Sequence, residues 1–152
     1  MVDHFLDTTA LGKHYHPEVG TAKVDQLLHG PGFGNYISRL TALEIQSVFA
    51  KKVRTGIITA ADFQALRRRF LADLSKRKFI IVRITNSHYQ EAERLLCRHG
   101  LAQGLRTLDA LQLSVALDLR GRGKLDHFVC SDTQLCGVAG AEGLSVINPE
   151  VS

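Results

Sequence analysis

Long apolar runs, a signal-peptide-like start and paired cysteines are all missing from this sequence. No apolar run approaches the roughly 20 residues that a membrane-spanning helix needs. The N-terminal stretch MVDHFLDTT has neither the basic start nor the apolar core of a signal peptide. We therefore predict a cytoplasmic protein that does not enter the membrane. The cysteines are three in number and form no C-x-x-C pair, which argues against both a disulfide framework and a zinc site.

The composition that is present is ordinary for a globular protein. The chain has 152 residues, of which 45% are hydrophobic and 22% are charged. A chain of this length can bury one sizeable core, so we predict a single domain over residues 1–152. The net charge of +4 and the pI near 9.2 are mildly basic, which is compatible with a polyanionic partner.

Short strand-like segments alternate with helix-like segments along the chain. The most β-branched segment, FIIVRI, is predicted to be a buried strand. This alternation predicts an α/β fold in which a mainly parallel sheet is covered by helices on both faces. The predicted strands are 5–6, 36–38, 79–84, 127–130 and 144–147; the predicted helices are 21–29, 41–54, 59–76, 87–99, 107–119 and 133–142, besides one that opens at Thr8; residues 30–34 are predicted to interrupt the pattern.

Four carboxylates occupy similar places in this predicted pattern. Asp7 and Asp132 each follow a strand and precede a helix, whereas Glu44 and Asp109 are predicted to lie in the first turn of a helix. A parallel sheet gathers such positions at one end of the molecule. Capping and the helix dipole also favour acidic residues there, by roughly 0.3–1 kcal/mol each. Thr41 and Glu44 even match a capping box, so a structural role stays open for each residue taken alone.

The predicted surroundings of these carboxylates favour a metal site. Asp109 lies within the very apolar stretch RTLDALQLSVAL, where a partly buried carboxylate needs a cation or hydrogen-bond donors. Converging carboxylates also repel one another, and a divalent cation relieves that repulsion. A set of oxygen ligands without Cys or His fits Mg²⁺ or Mn²⁺ rather than Zn²⁺.

Several longer stretches resemble the PIN-domain ribonucleases, and in particular the VapC-type toxins. They follow the order of that family and span nearly the whole chain. These stretches are FLDTTALGKHYHPEVG, SRLTALEIQSVFAKKVRTG, LRTLDALQLSVAL, FVCSDTQL and AEGLSVINP.

The resemblance implies a three-layer α/β/α sandwich and an endoribonuclease that uses one or two Mg²⁺ or Mn²⁺ ions to hydrolyse RNA. The implied acidic cluster is Asp7, Glu44, Asp109 and Asp132. We expect Asp7 and Asp109 to bind the metal directly, Glu44 to act directly or through water, and Asp132 to help hold the metal or orient the nucleophile. Where the family often has Thr, this chain has Cys130.

Five further residues are predicted to support the cluster. The hydroxyl groups of Thr8 and Thr9 are expected to orient the acidic side chains, and Ser131 is expected to supply the hydroxyl that Cys130 lacks. Lys13 and Arg106 lie close in sequence to the proposed ligands, so both are predicted to contact RNA phosphate. The basic runs elsewhere are predicted to be mainly solvated surface, with RNA contact as the alternative.

Surface or packing roles, rather than metal binding or catalysis, are predicted for several His and Cys residues. His14 and His16 are two positions apart and cannot share a helix face, so surface positions are predicted for them and for His4 rather than a zinc site. Cys97, Cys130 and Cys136 are predicted to be small buried hydrophobes.

The resemblance also implies partners. VapC-type proteins form homodimers and bind a small antitoxin, and the apolar helices predicted at 21–29 and 59–76 are candidates for those contacts. Ordinary core packing is the alternative for these helices. Two other functions stay open: a PIN-type nuclease without an antitoxin, and a non-catalytic domain that binds RNA or protein.

Overall fold

The computed structural model describes residues 2–30 and 34–151. Within these ranges, no helix is both long enough and apolar enough to cross a bilayer. The elements in chain order are β1 (His4–Leu6), α1 (Thr8–Tyr15), α2 (Thr21–Leu28), β2 (Asn35–Ser38), α3 (Arg39–Arg54), α4 (Ala60–Ser75), β3 (Ile80–Val82), α5 (Asn86–Gln103), α6 (Thr107–Gly121), β4 (His127–Val129), α7 (Thr133–Ala141) and β5 (Val146–Ile147).

The strands form one parallel sheet in the order β3-β2-β1-β4-β5. His4 of β1 pairs with Asn35 of β2 on one side and with His127 of β4 on the other. The chain thus builds outward from β1 to one side, through β2 and β3, and later to the other, through β4 and β5. In open parallel sheets, ligands bind at the carboxyl ends of the strands where this reversal occurs. Here the reversal lies between β1 and β4.

Helices cover both faces of the sheet because successive strand residues point to opposite sides. Phe5 lies in a core formed with α5, α6 and α7, whereas Leu6 lies in a second core formed with α1 to α4. The predicted three-layer α/β fold with a central parallel sheet is therefore confirmed.

Two helix ends differ from prediction for reasons that local hydrogen bonds explain. α3 begins at Arg39 rather than at residue 41, because the hydroxyl of Ser38 accepts a hydrogen bond from the N–H of Thr41 and caps the helix there. α5 continues past Gly100, the predicted stop, and ends where Gly104 adopts a left-handed φ of 63°. The other ends lie within two residues of the predicted positions.

The strand predicted at 79–84 is shorter and more exposed than expected. β3 lies at the edge of the sheet beside β2, and Ile80 is 45% exposed. Its β-branched composition therefore reflects strand propensity rather than full burial. The interruption predicted at 30–34 includes residues 31–33, which lie outside the described residues.

Two histidines that were predicted to lie on the surface are buried. His14 is 7% exposed; its Nδ1 lies 2.6 Å from the carboxylate of Asp25, and its Nε2 lies 2.8 Å from the ammonium of Lys78. His4 is 6% exposed because it belongs to the central strand. The prediction that Cys97 is buried is also wrong, since this thiol is exposed on α5.

Phe70 is the fully buried side chain that α4 contributes to the core. Phe70 is fully buried and meets Tyr15 edge-on, with ring centroids 5.5 Å apart. We expect Phe70→Ala to lower the free energy of unfolding by about 3–5 kcal/mol, because it leaves a cavity where the ring was. Leu71 is 39% exposed, so Leu71→Ala is the matched control and should cost less than about 1 kcal/mol. Urea unfolding measures both; equal losses would contradict this packing.

Candidate active site

Asp7 lies at the carboxyl end of the central strand, where β1 turns directly into α1. Its side chain caps α1: Oδ1 accepts hydrogen bonds from Thr9 Oγ1 at 2.7 Å and from the N–H of Ala10 at 2.9 Å. The residue is only 3% exposed. Burial raises the pKa of Asp7 to about 6, and the charge of Asp109 adds to this effect, although the hydrogen bonds oppose it. This carboxylate therefore carries a charge that its surroundings only partly stabilise.

Glu44 is held by side chains from two other helices. Its Oε1 accepts hydrogen bonds from Thr8 Oγ1 at 2.8 Å and from Gln112 Nε2 at 3.1 Å. The capping box predicted for Thr41 and Glu44 is wrong, because Ser38 caps α3 and Glu44 lies in its second turn. Glu44 is thus free of a capping role and faces α1 and α6.

Gln112 is a residue of this region that the sequence reasoning missed. It is 2% exposed, and its amide contacts Ser38, Thr8, Thr41 and Glu44. It therefore joins α6 to the start of α1 and of α3. The signal was available: a lone amide three residues after Asp109, in an otherwise apolar stretch of a helix, is on the same face as that carboxylate.

Asp109 and Asp132 lie at the N-terminal ends of α6 and α7. Burial raises the pKa of Asp109; the charge of Arg106 opposes this, while the charges of Asp132 and Glu44 add to it. Asp132 caps α7 by accepting hydrogen bonds from the backbone N–H groups of residues 134 and 135. Arg106 is 79% exposed in its side chain, and its guanidinium lies 3.6 Å from Asp109 and 4.0 Å from Asp132.

The four carboxylates thus share one end of the sheet and affect one another electrostatically. Within the described ranges, however, no three His, Cys, Asp or Glu side chains converge tightly enough to form a ready-made metal site. The donor set still suits a hard divalent cation, because its atoms are oxygen and its charges are incompletely compensated. An ion held by three or more of these carboxylates would therefore require side-chain movement.

Thr9 links the start of α1 to the loop that follows β4. Its hydroxyl donates to Asp7 and accepts a hydrogen bond from the backbone N–H of Ser131 at 3.2 Å. Ser131 thus contacts this corner through its backbone, and its hydroxyl has no partner among the described residues. Cys130 is buried beside it, with its Sγ 3.5 Å from the carbonyl oxygen of Asp132.

Lys13 does not take the phosphate-binding position that was predicted for it. Lys13 is only 3% exposed, and its ammonium lies 3.0 Å from the carboxylate of Glu18 and 3.0 Å from that of Glu150. Two carboxylates already neutralise this buried cation, so it ties α1 to the C-terminal segment instead of facing solvent. Arg106, by contrast, lies at the acidic cluster and is exposed.

A family model for the PIN domain matches residues 4–140. This is most of the chain, and the chain therefore belongs to the PIN domain family. No curated protein matches the sequence.

Three solved bacterial structures share the fold over almost their full lengths. A toxin–antitoxin complex from Klebsiella pneumoniae is 20% identical, with a TM-score of 0.67, and covers 97% of this chain and 98% of its own. FitAcB from Neisseria gonorrhoeae is 17% identical, with a TM-score of 0.68 and coverage of 98% and 99%. VapC20 from Mycobacterium tuberculosis, a sarcin-ricin loop cleaving toxin, is 16% identical, with a TM-score of 0.66 and coverage of 98% of both chains.

The raised pKa of Asp7 predicts a pH-dependent effect of Asp7→Asn on stability. The ordinary pKa of an aspartate is 3.8 and the pKa of Asp7 in the folded protein is about 6, so ionisation of Asp7 destabilises the folded state as pH rises through this window. In metal-free buffer, Asp7→Asn should be no more stable than wild type near pH 3.5. It should be more stable at pH 8, by on the order of 2–3 kcal/mol.

Asp118→Asn is the control of opposite sign. Partial burial acts to raise the pKa of Asp118, but contacts with His88 and Arg122 hold it below its ordinary value. Asp118→Asn should therefore be less stable than wild type at pH 8. Urea unfolding at both pH values in EDTA measures these effects. An Asp7→Asn protein that is no more stable than wild type at pH 8 would contradict the buried-charge interpretation.

Proposed function

We propose that this protein is a metal-dependent endoribonuclease that hydrolyses phosphodiester bonds in RNA. The observation that supports this best is the group of acidic side chains at the carboxyl ends of β1 and β4, where burial and mutual repulsion raise the pKa values of Asp7 and Asp109. Membership of the PIN domain family supports the same reaction class.

The residues that would hold Mg²⁺ or Mn²⁺ are Asp7 and Asp109, with Glu44 and Asp132 completing the set directly or through water. A divalent ion held there would supply a Lewis acid that lowers the pKa of water and stabilises negative charge on the departing oxygen. Metal binding and raised carboxyl pKa values are linked, because the ion binds the ionised form that burial otherwise disfavours.

The surrounding side chains position the acids. Thr9 donates to Oδ1 of Asp7, the same oxygen that caps α1, so this carboxylate is held in one orientation at the start of the helix. Thr8 and Gln112 hold Glu44 from two sides, so their contribution is orientation rather than proton transfer. Arg106 is exposed beside two of the acids and can neutralise a phosphate that approaches them.

The finer proposal is that the protein is a VapC-type toxin that acts in the cytoplasm, forms a homodimer and is inhibited by a cognate antitoxin. Solved structures with a similar fold include a toxin–antitoxin complex and FitAB bound to a DNA fragment. α4 is a candidate contact helix, because it buries Phe70 but leaves Leu71 partly exposed. A PIN-type nuclease without an antitoxin is the alternative.

A non-catalytic RNA- or protein-binding domain is the second candidate function. The observation in its favour is that the described carboxylates do not converge into a ready-made metal site. Metal-dependent catalysis separates the two candidates, because a binding domain would have none.

Cleavage of RNA tests the proposal. Purified wild-type protein should cleave total or transfer RNA with Mg²⁺ or Mn²⁺ and not with EDTA. Asp109→Asn should lower the rate at least 100-fold, because it removes a proposed metal ligand. Asp118→Asn is the matched control: it lies on the same helix, roughly 13 Å further along the axis, and should keep its activity.

Gel analysis of labelled RNA gives the rates, and circular dichroism checks that each variant is folded. Equal cleavage by wild type and Asp109→Asn would contradict the assignment of the site. Absence of metal-dependent cleavage by wild-type protein free of any co-purified partner would favour the binding-domain alternative.

A further inference from the structure

RNA binding at the acidic end of the sheet poses an electrostatic problem. Asp7, Glu44, Asp109 and Asp132 repel a polyanion, and the cation that lies beside them is Arg106. Lys13 cannot help, because Glu18 and Glu150 already neutralise it. An RNA strand that binds here needs further positive charge nearby.

A groove of about 820 Å³ lies next to this end of the sheet and supplies that charge. Three arginines line it: Arg39, Arg67 and Arg83. All three are exposed, and in residues 2–30 and 34–151 none of them forms an ion pair with a carboxylate. Their lining partners include no acidic residue, so their charge is not offset within the groove.

The topology connects this groove to the acidic cluster. Arg39 follows β2 and Arg83 follows β3, so both lie at the same carboxyl edge of the sheet as Asp7, which follows β1. Along this edge, the order β3-β2-β1-β4 places basic residues after the first two strands and acidic residues after the next two. α3 carries both Arg39 and Glu44, and so spans from one group to the other.

The groove also offers a surface for bases. Tyr89 is 59% exposed and Leu43 is 71% exposed, and both line the groove with the partly buried Phe63. An exposed aromatic ring among arginines is the combination on which single-stranded nucleic acids bind, with bases stacked on the ring and phosphates paired with the cations.

We propose that this groove, lined by Arg39, Leu43, Phe63, Arg67, Arg83 and Tyr89, binds a single-stranded segment of the RNA substrate that flanks the cleaved bond. This inference rests on the proposed function, since it takes RNA as the substrate. The three uncompensated arginines favour a polyanion over a second copy of this chain, whose net charge of +4 has the same sign.

Binding of a non-cleaved RNA tests the groove separately from catalysis. The probe is a fluorescently labelled 12-nucleotide single-stranded RNA in EDTA, and the readout is anisotropy at several salt concentrations. Arg67→Glu should weaken binding about 10-fold or more, with a log Kd against log salt slope that is shallower by about 0.7 per lost phosphate contact. Arg68→Glu is the matched control, since Arg68 is exposed on the same helix but does not line the groove.

Tyr89→Ala should weaken binding about 5-fold or more without changing the salt slope, because stacking is not electrostatic.

Equal affinities for Arg67→Glu and Arg68→Glu would overturn the proposal. So would an Arg67→Glu protein that changes its oligomeric state in light scattering while its RNA affinity is unchanged, because the groove would then be a protein interface. Wild-type protein that binds no RNA would overturn the proposed function as well, whereas wild-type binding that is insensitive to Arg67→Glu would overturn the groove alone.

Discussion

The burial of the Asp7 carboxylate at the end of the central strand is the constraint on which the rest of the site depends. Its position follows from the chain turning from β1 directly into α1, and two hydrogen bonds hold one of its oxygens. Neither bond brings a positive charge, so burial leaves the pKa raised to about 6. A divalent cation bound there would offset this penalty, and the folded state would then gain stability from the bound ion.

A buried polar network holds Glu44 in place, as the helix cap holds Asp7. Gln112 of α6 reaches the hydroxyl groups of Thr8 and Thr41 and the carboxylate of Glu44. The amide is nearly inaccessible to solvent, so each of these contacts satisfies a group that would otherwise be costly to bury. The network joins helices from both faces of the sheet at the edge where the acidic residues lie, and it limits how far Glu44 can move.

Sequence reasoning reached the fold and the positions of the acids that follow strands, because both depend on local pattern. Alternating strands and helices predicted the parallel sheet, and Asp7 and Asp132 lie at its edge simply by following β1 and β4. Contacts between residues far apart in sequence could not be predicted from local pattern. Lys13 is neutralised by Glu150, 137 residues away, and Glu44 is supported by Gln112, 68 residues away. The shift of α3 by two residues, which moves Glu44 from the first turn to the second, depends on the hydroxyl of Ser38.

Metal binding by the intact chain is the most direct test of the claim that these carboxylates form a cation site. Calorimetric titration of Mn²⁺ into metal-free wild-type protein should show binding. The Asp7→Asn/Asp109→Asn double variant, checked for folding by circular dichroism, should show none, because it lacks the two carboxylates whose charge is least compensated. Undiminished Mn²⁺ binding by the folded double variant, or no binding by wild type, would contradict the assignment.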